Sequence, residues 1–372
     1  MYETAPSRAI VDLDAYAHNL HEVRRIVGEK VGIVAVVKAN AYGHGLVPVA
    51  QRALKEGAAM LAVAMVEEGV TLREAGIEAP ILVLVQPDRD ALPAVVTHRL
   101  TVMLCDVGTA EALGQLAHRA NRVVAAHCKI DTGMGRQGFD MGKAKESIEY
   151  ITRISHIDIE GIATHFSSAD IPEDTYTAGQ VRAFKQLLRQ LERAGIPHEV
   201  THAANSAAVL NYHASHLDMV RTGLMTYGVC PAVKPGVRVD LRPVLTWRTR
   251  VAQVRRIEAG ASVGYSRTYV TPSRMDAVIL PVGYGDGYRH AFSNRAEVLI
   301  HGRRCPVRGA VSMDQILVET THVGEVRQGD VATLIGADGD ERITAAELAR
   351  IADTIPYEIL TGIGTRVPRQ YV

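Results

Sequence analysis

Apolar residues gather in short runs without polar alternation over the first two-thirds of the chain. Gly32–Lys38, Met60–Met65, Ile81–Val85, Thr101–Leu104, Val123–Asp131, Ile159–Phe166, His198–Asn205 and Asp218–Gly228 are rich in valine, isoleucine and alanine. Strands buried on both faces of a parallel sheet carry that pattern. Longer segments of helical periodicity lie between them. The clearest runs from Asp174 to about Ala194, where Val181, Phe184, Leu187, Leu188 and Leu191 recur at helical spacing and Gly195 follows as a stop. Eight strand–helix units predict an α/β fold, a (β/α)8 barrel of the TIM type, with a doubly wound open sheet as the rival.

The pattern changes after Pro235. Val244–Ile257, Met275–Tyr284, Ala296–Ile300, Pro306–Glu319 and Asp330–Gly336 read as strands, linked by turn signals at Gly260, His301-Gly302 and Ala337-Asp338-Gly339-Asp340. One late helix opens at Thr344-Ala345-Ala346-Glu347, a capping-box pattern. The sequence thus predicts a barrel domain over residues 1–235 and a mostly-β domain over 236–372, joined through Lys234–Asp240. Ser7–Leu13 reads as a strand that either domain can pair.

Length supports two domains: 372 residues exceed the roughly 250–300 at which single cores stop growing. The 41 basic residues balance the 41 acidic ones, so no basic groove for nucleic acid is expected. Cys105, Cys128, Cys230 and Cys305 lie far apart with no C-x-x-C pair, which argues against a zinc site or disulfide framework and fits a reducing cytoplasm. The longest apolar run, Ala58–Val66, is far short of the ~20 residues of a membrane span. No secretory signal is read at Met1-Tyr2-Glu3-Thr4.

The residues that carry chemistry fall at predicted strand ends, which converge on one mouth of a parallel barrel. Lys38 ends the first strand, Lys129 and Asp131 the fifth, His165 the sixth, and His202, Asn205 and Ser206 the seventh; Arg221 and Gly223 lie on the eighth. A lysine after Val-Ala-Val-Val is costly unless it is paired, neutral or covalently used. Each residue also has an ordinary reading. Lys38 can snorkel to water, His165 can be a satisfied core histidine, Asn205-Ser206 a helix cap, Arg221 a rim salt-bridge residue, Lys129 a partner of Asp131, and Tyr265 a loop tyrosine.

In combination the motifs are more specific. Val36-Val37-Lys38-Ala39-Asn40-Ala41-Tyr42-Gly43-His44-Gly45 resembles the segment around the cofactor lysine of the alanine racemases, and Lys129-Ile130-Asp131-Thr132-Gly133-Met134-Gly135-Arg136 resembles a second block of that family. Thr164–Asp170, Ala204-Asn205-Ser206, Val220–Gly223 with Tyr227-Gly228, Val263-Gly264-Tyr265, Gly283–Tyr288 and Ser312–Gln315 follow in family order.

The resemblance implies pyridoxal 5'-phosphate held by Lys38 as a Schiff base, and interconversion of L- and D-alanine by two opposed bases. Lys38 would serve the D-enantiomer and Tyr265 the L-enantiomer. His165 would contact that tyrosine, Arg221 would contact His165 and face the pyridine nitrogen, and His202 would support Arg221. Ser206, with Asn205 beside it and the backbone at Gly223 and Leu224, matches the phosphate site, as do Tyr42 and Tyr357. Arg136 would bind the substrate carboxylate, oriented by a carbamate on Lys129. Met313 would give a backbone amide to that carboxylate. With Tyr265, Tyr284 and Asp314, it would reach the barrel of the opposite subunit in a head-to-tail homodimer with shared sites.

Two stretches depart from the family pattern. Ala310 and Ser312 stand where arginine and cysteine are more usual, and Ser266-Arg267 follow Tyr265 where smaller residues are often found. Both bear on substrate preference rather than reaction type. The rivals are a racemase for serine, lysine or several amino acids, a non-catalytic carrier of the cofactor on a lone barrel, and a two-domain decarboxylase. The second domain argues against the carrier. Arg221, standing where decarboxylases generally place a carboxylate, argues against the last.

Overall fold

A computed structural model describes residues 5–171 and 173–372; the Met1–Thr4 start, read above for a secretory signal, lies outside them. The chain forms two compact units. One comprises Tyr16–Ala41 and Leu46–Arg242; the other comprises the stretch up to Ala15, the short segment Tyr42–Gly45 and Pro243–Val372.

The first unit is a closed barrel. Strands Gly32–Val36, Met60–Val63, Ile81–Val83, Thr101–Leu104, Val124–Asp131, Ile157–Ala163, Val200–His202 and Met219–Thr222 pair in parallel in that order. The last also pairs with the first, Val220 opposite Ile33. That closure excludes the open doubly wound sheet, and each strand overlaps a run predicted from the sequence. Ile33, Leu61, Ile81, Val102, Ala126, Ile162 and Val220 are buried, as near-continuous apolar runs require. Helix Tyr176–Arg193 buries Val181, Phe184, Leu187, Leu188 and Leu191. It starts two residues later than its periodicity suggests, because the Asp174 carboxylate accepts the Tyr176 N–H at 2.7 Å.

The run predicted as a strand over Asp218–Gly228 stops at Thr222. A 3-10 turn, Leu224–Tyr227, follows. The Ser206 hydroxyl accepts the N–H groups of Gly223 at 3.1 Å and Met225 at 3.4 Å, which turns the backbone off the strand path.

The second unit is built on a ten-stranded sheet, mostly antiparallel. Strand Arg8–Val11 belongs to it, antiparallel to Leu245–Arg250 and parallel to Arg369–Tyr371. The single strand expected over Val244–Ile257 is two, Leu245–Arg250 and Gln253–Ile257. Between them Val251 donates to Asp330 O and Ala252 to Ile279 O, so the chain changes neighbours at this corner. Pro306–Glu319 likewise divides into Arg303–Arg308 and Ile316–Glu319. Gly309 makes that break: its φ is +78°, and a Cβ there would meet Val263 O at 2.8 Å. The capping box at Thr344 is half made. Glu347 N–H donates to Thr344 Oγ1 at 3.0 Å, but the Glu347 carboxylate takes Arg304 at 2.6 Å instead of reaching back to the cap. Among the described residues no helix is long and apolar enough to cross a membrane, and no cluster of His, Cys, Asp and Glu is arranged to hold a metal.

Candidate active site

Lys38 follows the first barrel strand, where Val36 and Val37 are buried. The chain then coils left-handed: Ala39, Asn40, Ala41 and Tyr42 all have φ between 52° and 54°. Left-handed backbone costs about 1–2 kcal/mol for each non-glycine residue, so the turn must be braced. Glu68 supplies one brace. Its Oε1 accepts the Ala39 N–H at 2.6 Å, while Oε2 holds Ala64 N–H at 2.8 Å. Asn40 Oδ1 accepts Leu46 N–H at 2.8 Å, and Ala41 N–H reaches Val37 O at 2.7 Å. Burial pushes the Lys38 amine below its ordinary value; the Arg136 and Arg221 charges push the same way, and Glu68 opposes them.

Arg221, on the last strand, is buried and fully engaged at its two terminal nitrogens. One donates to His202 Nδ1 at 2.6 Å and His202 O at 3.1 Å. The other faces Thr164 O at 2.7 Å, Ala203 O at 3.0 Å and His165 Nδ1 at 3.1 Å. Burial lowers the guanidinium to about 10, which leaves it charged at neutral pH. An arginine only donates, so each histidine must present its Nδ1 lone pair and carry hydrogen on Nε2. Burial, reinforced by the Arg221 charge, holds His165 and His202 well below the usual histidine range, so both are neutral. Two donors remain unengaged by this network, the Arg221 Nε–H and the His165 Nε2–H.

Lys129, on the fifth strand, is 7% exposed. Burial lowers its amine to about 8, against the opposing influence of Cys105. Asp131 does not pair with it. Its carboxylate accepts the N–H groups of Gly133, Met134 and Gly135 at 2.8–3.1 Å and shapes the turn that presents Arg136. Burial alone would raise the Asp131 carboxyl; these amides bring it below the ordinary value. Arg136 is exposed; its backbone N–H reaches the Asp131 carboxylate, and its guanidinium makes no hydrogen bond or ion pair among the described residues.

The seventh strand leads into a six-residue helix, Ser206–Asn211, capped by Asn205, whose Oδ1 accepts Ala208 N–H at 3.0 Å. With both lone pairs of Ser206 Oγ taken by backbone amides, its hydrogen is left to donate elsewhere. Leu224 opens the 3-10 turn, where a first residue's N–H has no acceptor within the turn. Gly223 N–H is engaged by Ser206.

Tyr42, Tyr357, Tyr265, Tyr284, Met313 and Asp314 belong to the other unit. The Tyr42 and Tyr357 rings lie 5.9 Å apart. Tyr265 is 72% exposed, on a short turn where Gly264, Ser266 and Arg267 all have positive φ. Tyr284 N–H donates to Ser312 O at 3.0 Å and Gly285 N–H to Met313 O at 2.9 Å, so these two loops form one surface. Arg366 braces it, donating to Asp314 at 2.7 Å and pairing with Asp286 at 3.2 Å.

Sequence reasoning missed Glu68 and His127. His127 Nδ1 lies 2.7 Å from His202 Nε2. Its signal was period two, since His127, Lys129 and Asp131 alternate along one strand and share a face. Glu68 lies in the first turn of helix Val66–Glu74, where its Oε2 also accepts Met65 N–H at 3.2 Å; only the fold brings it to the turn after Lys38.

The alanine racemase N-terminal domain model matches residues 11–231, and the C-terminal domain model matches 244–371. An alanine racemase of Symbiobacterium thermophilum is 47% identical over 98% of this chain and 97% of its own length. The Bacillus anthracis alanine racemase structure with bound L-Ala-P superposes with a TM-score of 0.93 at 35% identity, covering 99% of this chain and 95% of that one. The Bartonella henselae alanine racemase structure with covalently bound pyridoxal phosphate gives 0.89 at 29% identity, covering 99% and 100%. The chain belongs to the alanine racemase family.

Proposed function

We propose that this chain interconverts L- and D-alanine with Lys38 and Tyr265 as opposed proton carriers and pyridoxal 5'-phosphate as cofactor. The observation that carries the reading is the Arg221 network. It leaves a charged Nε–H and a neutral histidine's Nε2–H as unengaged donors in the barrel that also holds Lys38. The donor set fits the cofactor. Lys38 would hold its aldehyde carbon, Arg221 Nε–H its ring nitrogen, and the Ser206 hydroxyl and Leu224 N–H its phosphate, with Asn205 fixing Ser206 and Tyr42 and Tyr357 adding phenols. When bound, the cofactor draws electron density from the substrate's Cα and makes its proton acidic.

Lys38 is suited to exchange that proton on one face, because burial favours its free amine. Tyr265 would act on the other face. A free phenol titrates near 10, so it needs a stabiliser. The His165 Nε2–H would donate to the phenolate oxygen, and Arg221 would keep His165 in the tautomer that can do so. Arg221 cannot give up its own proton, and so it leaves a ring nitrogen facing it unprotonated. That tempers electron withdrawal and disfavours side reactions. Arg136 would bind the alanine carboxylate beside the Met313 N–H, with Lys129 as a carbamate orienting the arginine.

The exposed side chains Tyr265, Tyr284, Met313 and Ile355 on the second unit support a homodimer in which Tyr265, Tyr284, Met313 and Asp314 complete the partner's site. Four unpaired cysteines fit a cytoplasmic location.

Purified protein reconstituted with the cofactor should convert D-alanine faster than D-serine or D-lysine, and Lys38→Ala should abolish both activity and the imine absorption band. Equal rates on the three amino acids would defeat the alanine assignment, and release of CO2 would overturn the reaction type.

A further inference from the structure

The network around Arg221 does not end at His202. That histidine's Nε2–H points to His127 Nδ1 at 2.7 Å, with the rings tilted and their centroids 4.9 Å apart. His127 must therefore accept on Nδ1 and carry its own hydrogen on Nε2. Its side chain is completely buried, and Nε2 has no hydrogen-bond partner. The nearest acidic group is Glu160, whose Oε2 lies 3.7 Å away on the neighbouring strand.

The backbone is adapted to hold this ring. The register between strands Val124–Asp131 and Ile157–Ala163 shifts after Ala126: Ala126 stands opposite Ile159, and His127 opposite Gly161. Glu160 is the extra residue of that bulge, a device that re-aims side chains beside functional sites. Gly161 leaves room for the imidazole, since a Cβ there would meet the His127 ring at 2.7 Å. A bulge and a glycine in one place, around a buried imidazole in a barrel core, are more than packing demands.

We infer that His127 is a positioning residue for the racemisation: with Glu160 behind it, it fixes the His202 tautomer whose Nδ1 lone pair receives Arg221. The inference rests on the proposed function and assigns a residue two steps behind the cofactor donor. With no acceptor at position 127, His202 can move its hydrogen to Nδ1. There it opposes an Arg221 N–H, and the guanidinium loses the anchor that aims its Nε–H. Partners behind a primary ligand are typically worth about 10–100-fold in activity.

Two measurements on the cofactor-loaded enzyme test this. Ring-15N histidine NMR of the unsubstituted protein should show hydrogen on Nε2 of both His202 and His127; hydrogen on His202 Nδ1 overturns the inference, whatever the activity. His127→Leu should lower kcat at least about tenfold in both directions, leave KM within about twofold, and change the His202 ring shifts. His127→Gln, whose side-chain oxygen can accept from His202, should recover most of the loss. Should His127→Leu not fold, the wild-type tautomers and the His127→Gln rates decide. A folded His127→Leu with unchanged kcat and unchanged His202 shifts overturns the proposal. A wild-type enzyme inactive on alanine would sink the proposed function instead, without touching the tautomer result.

Discussion

Lys129 offers the sharpest physical prediction. Its amine, at 10.5 in water, is lowered to about 8 by burial. That difference is worth about 3 kcal/mol of folding free energy. The unfolded chain keeps this proton up to about 10.5, whereas the folded chain releases it above about 8. The folded state therefore binds fewer protons between these values. The destabilisation is complete below pH 8, shrinks as pH rises, and is gone above 10.5. At pH 7 roughly one folded molecule in ten has the free amine, against about three in ten thousand for an unshifted lysine. The free amine is the form that adds CO2, forming an N–C bond and releasing a proton to give the carbamate anion. Carbamate formation would convert an uncompensated buried cation into an anion facing Arg136. Lys129→Met keeps the volume but neither titrates nor reacts. In CO2-free buffer, urea midpoints should show the substituted protein gaining over the wild type at pH 7, with the gap closing towards pH 10. Added bicarbonate should raise only the wild type at pH 7–8. 13C-bicarbonate should then give a bound resonance that is absent from Lys129→Met. Parallel stability curves with no response to bicarbonate would refute both the buried-cation argument and the carbamate.

Further predictions rest on single contacts. Asn205→Ala removes the side-chain acceptor for Ala208 N–H and should destabilise by about 1 kcal/mol, read as a lower melting temperature, with a weaker affinity for the cofactor as Ser206 loosens. Glu68→Gln replaces one of two accepting oxygens with a donor facing a backbone N–H. It should destabilise by about 1–3 kcal/mol and slow turnover, because the left-handed turn after Lys38 loses a brace. Wild-type stability and rates in that variant would show the turn to be held by other contacts.

The barrel was legible because its strands are buried on both faces and read as unbroken apolar runs. Boundaries were less legible where side chains, not hydrophobicity, end an element: Ser206 turns the last barrel strand at Gly223, and Asp174 delays a helix. In the second unit, the corner at Val251-Ala252 and the break at Gly309 were hidden inside longer runs of mixed apolar and polar residues, because neither changes the pattern enough to mark a boundary. The residues of the Arg221 network were legible by motif. Their protonation was not, since it follows from which nitrogen meets a guanidinium. Glu68 and His127 needed the fold, one being brought to Lys38 from the first turn of a helix and the other reaching His202 across a bulge.

The central claim is that two different groups exchange the Cα proton, one on each face. Tyr265→Phe in D2O tests it directly, with the Cα hydrogen and the configuration of alanine followed together by NMR and chiral chromatography. The account predicts that D-alanine slowly exchanges its Cα hydrogen for deuterium through Lys38, that L-alanine does not, and that neither inverts. Inversion of either enantiomer at a rate near that of the unsubstituted enzyme would contradict it.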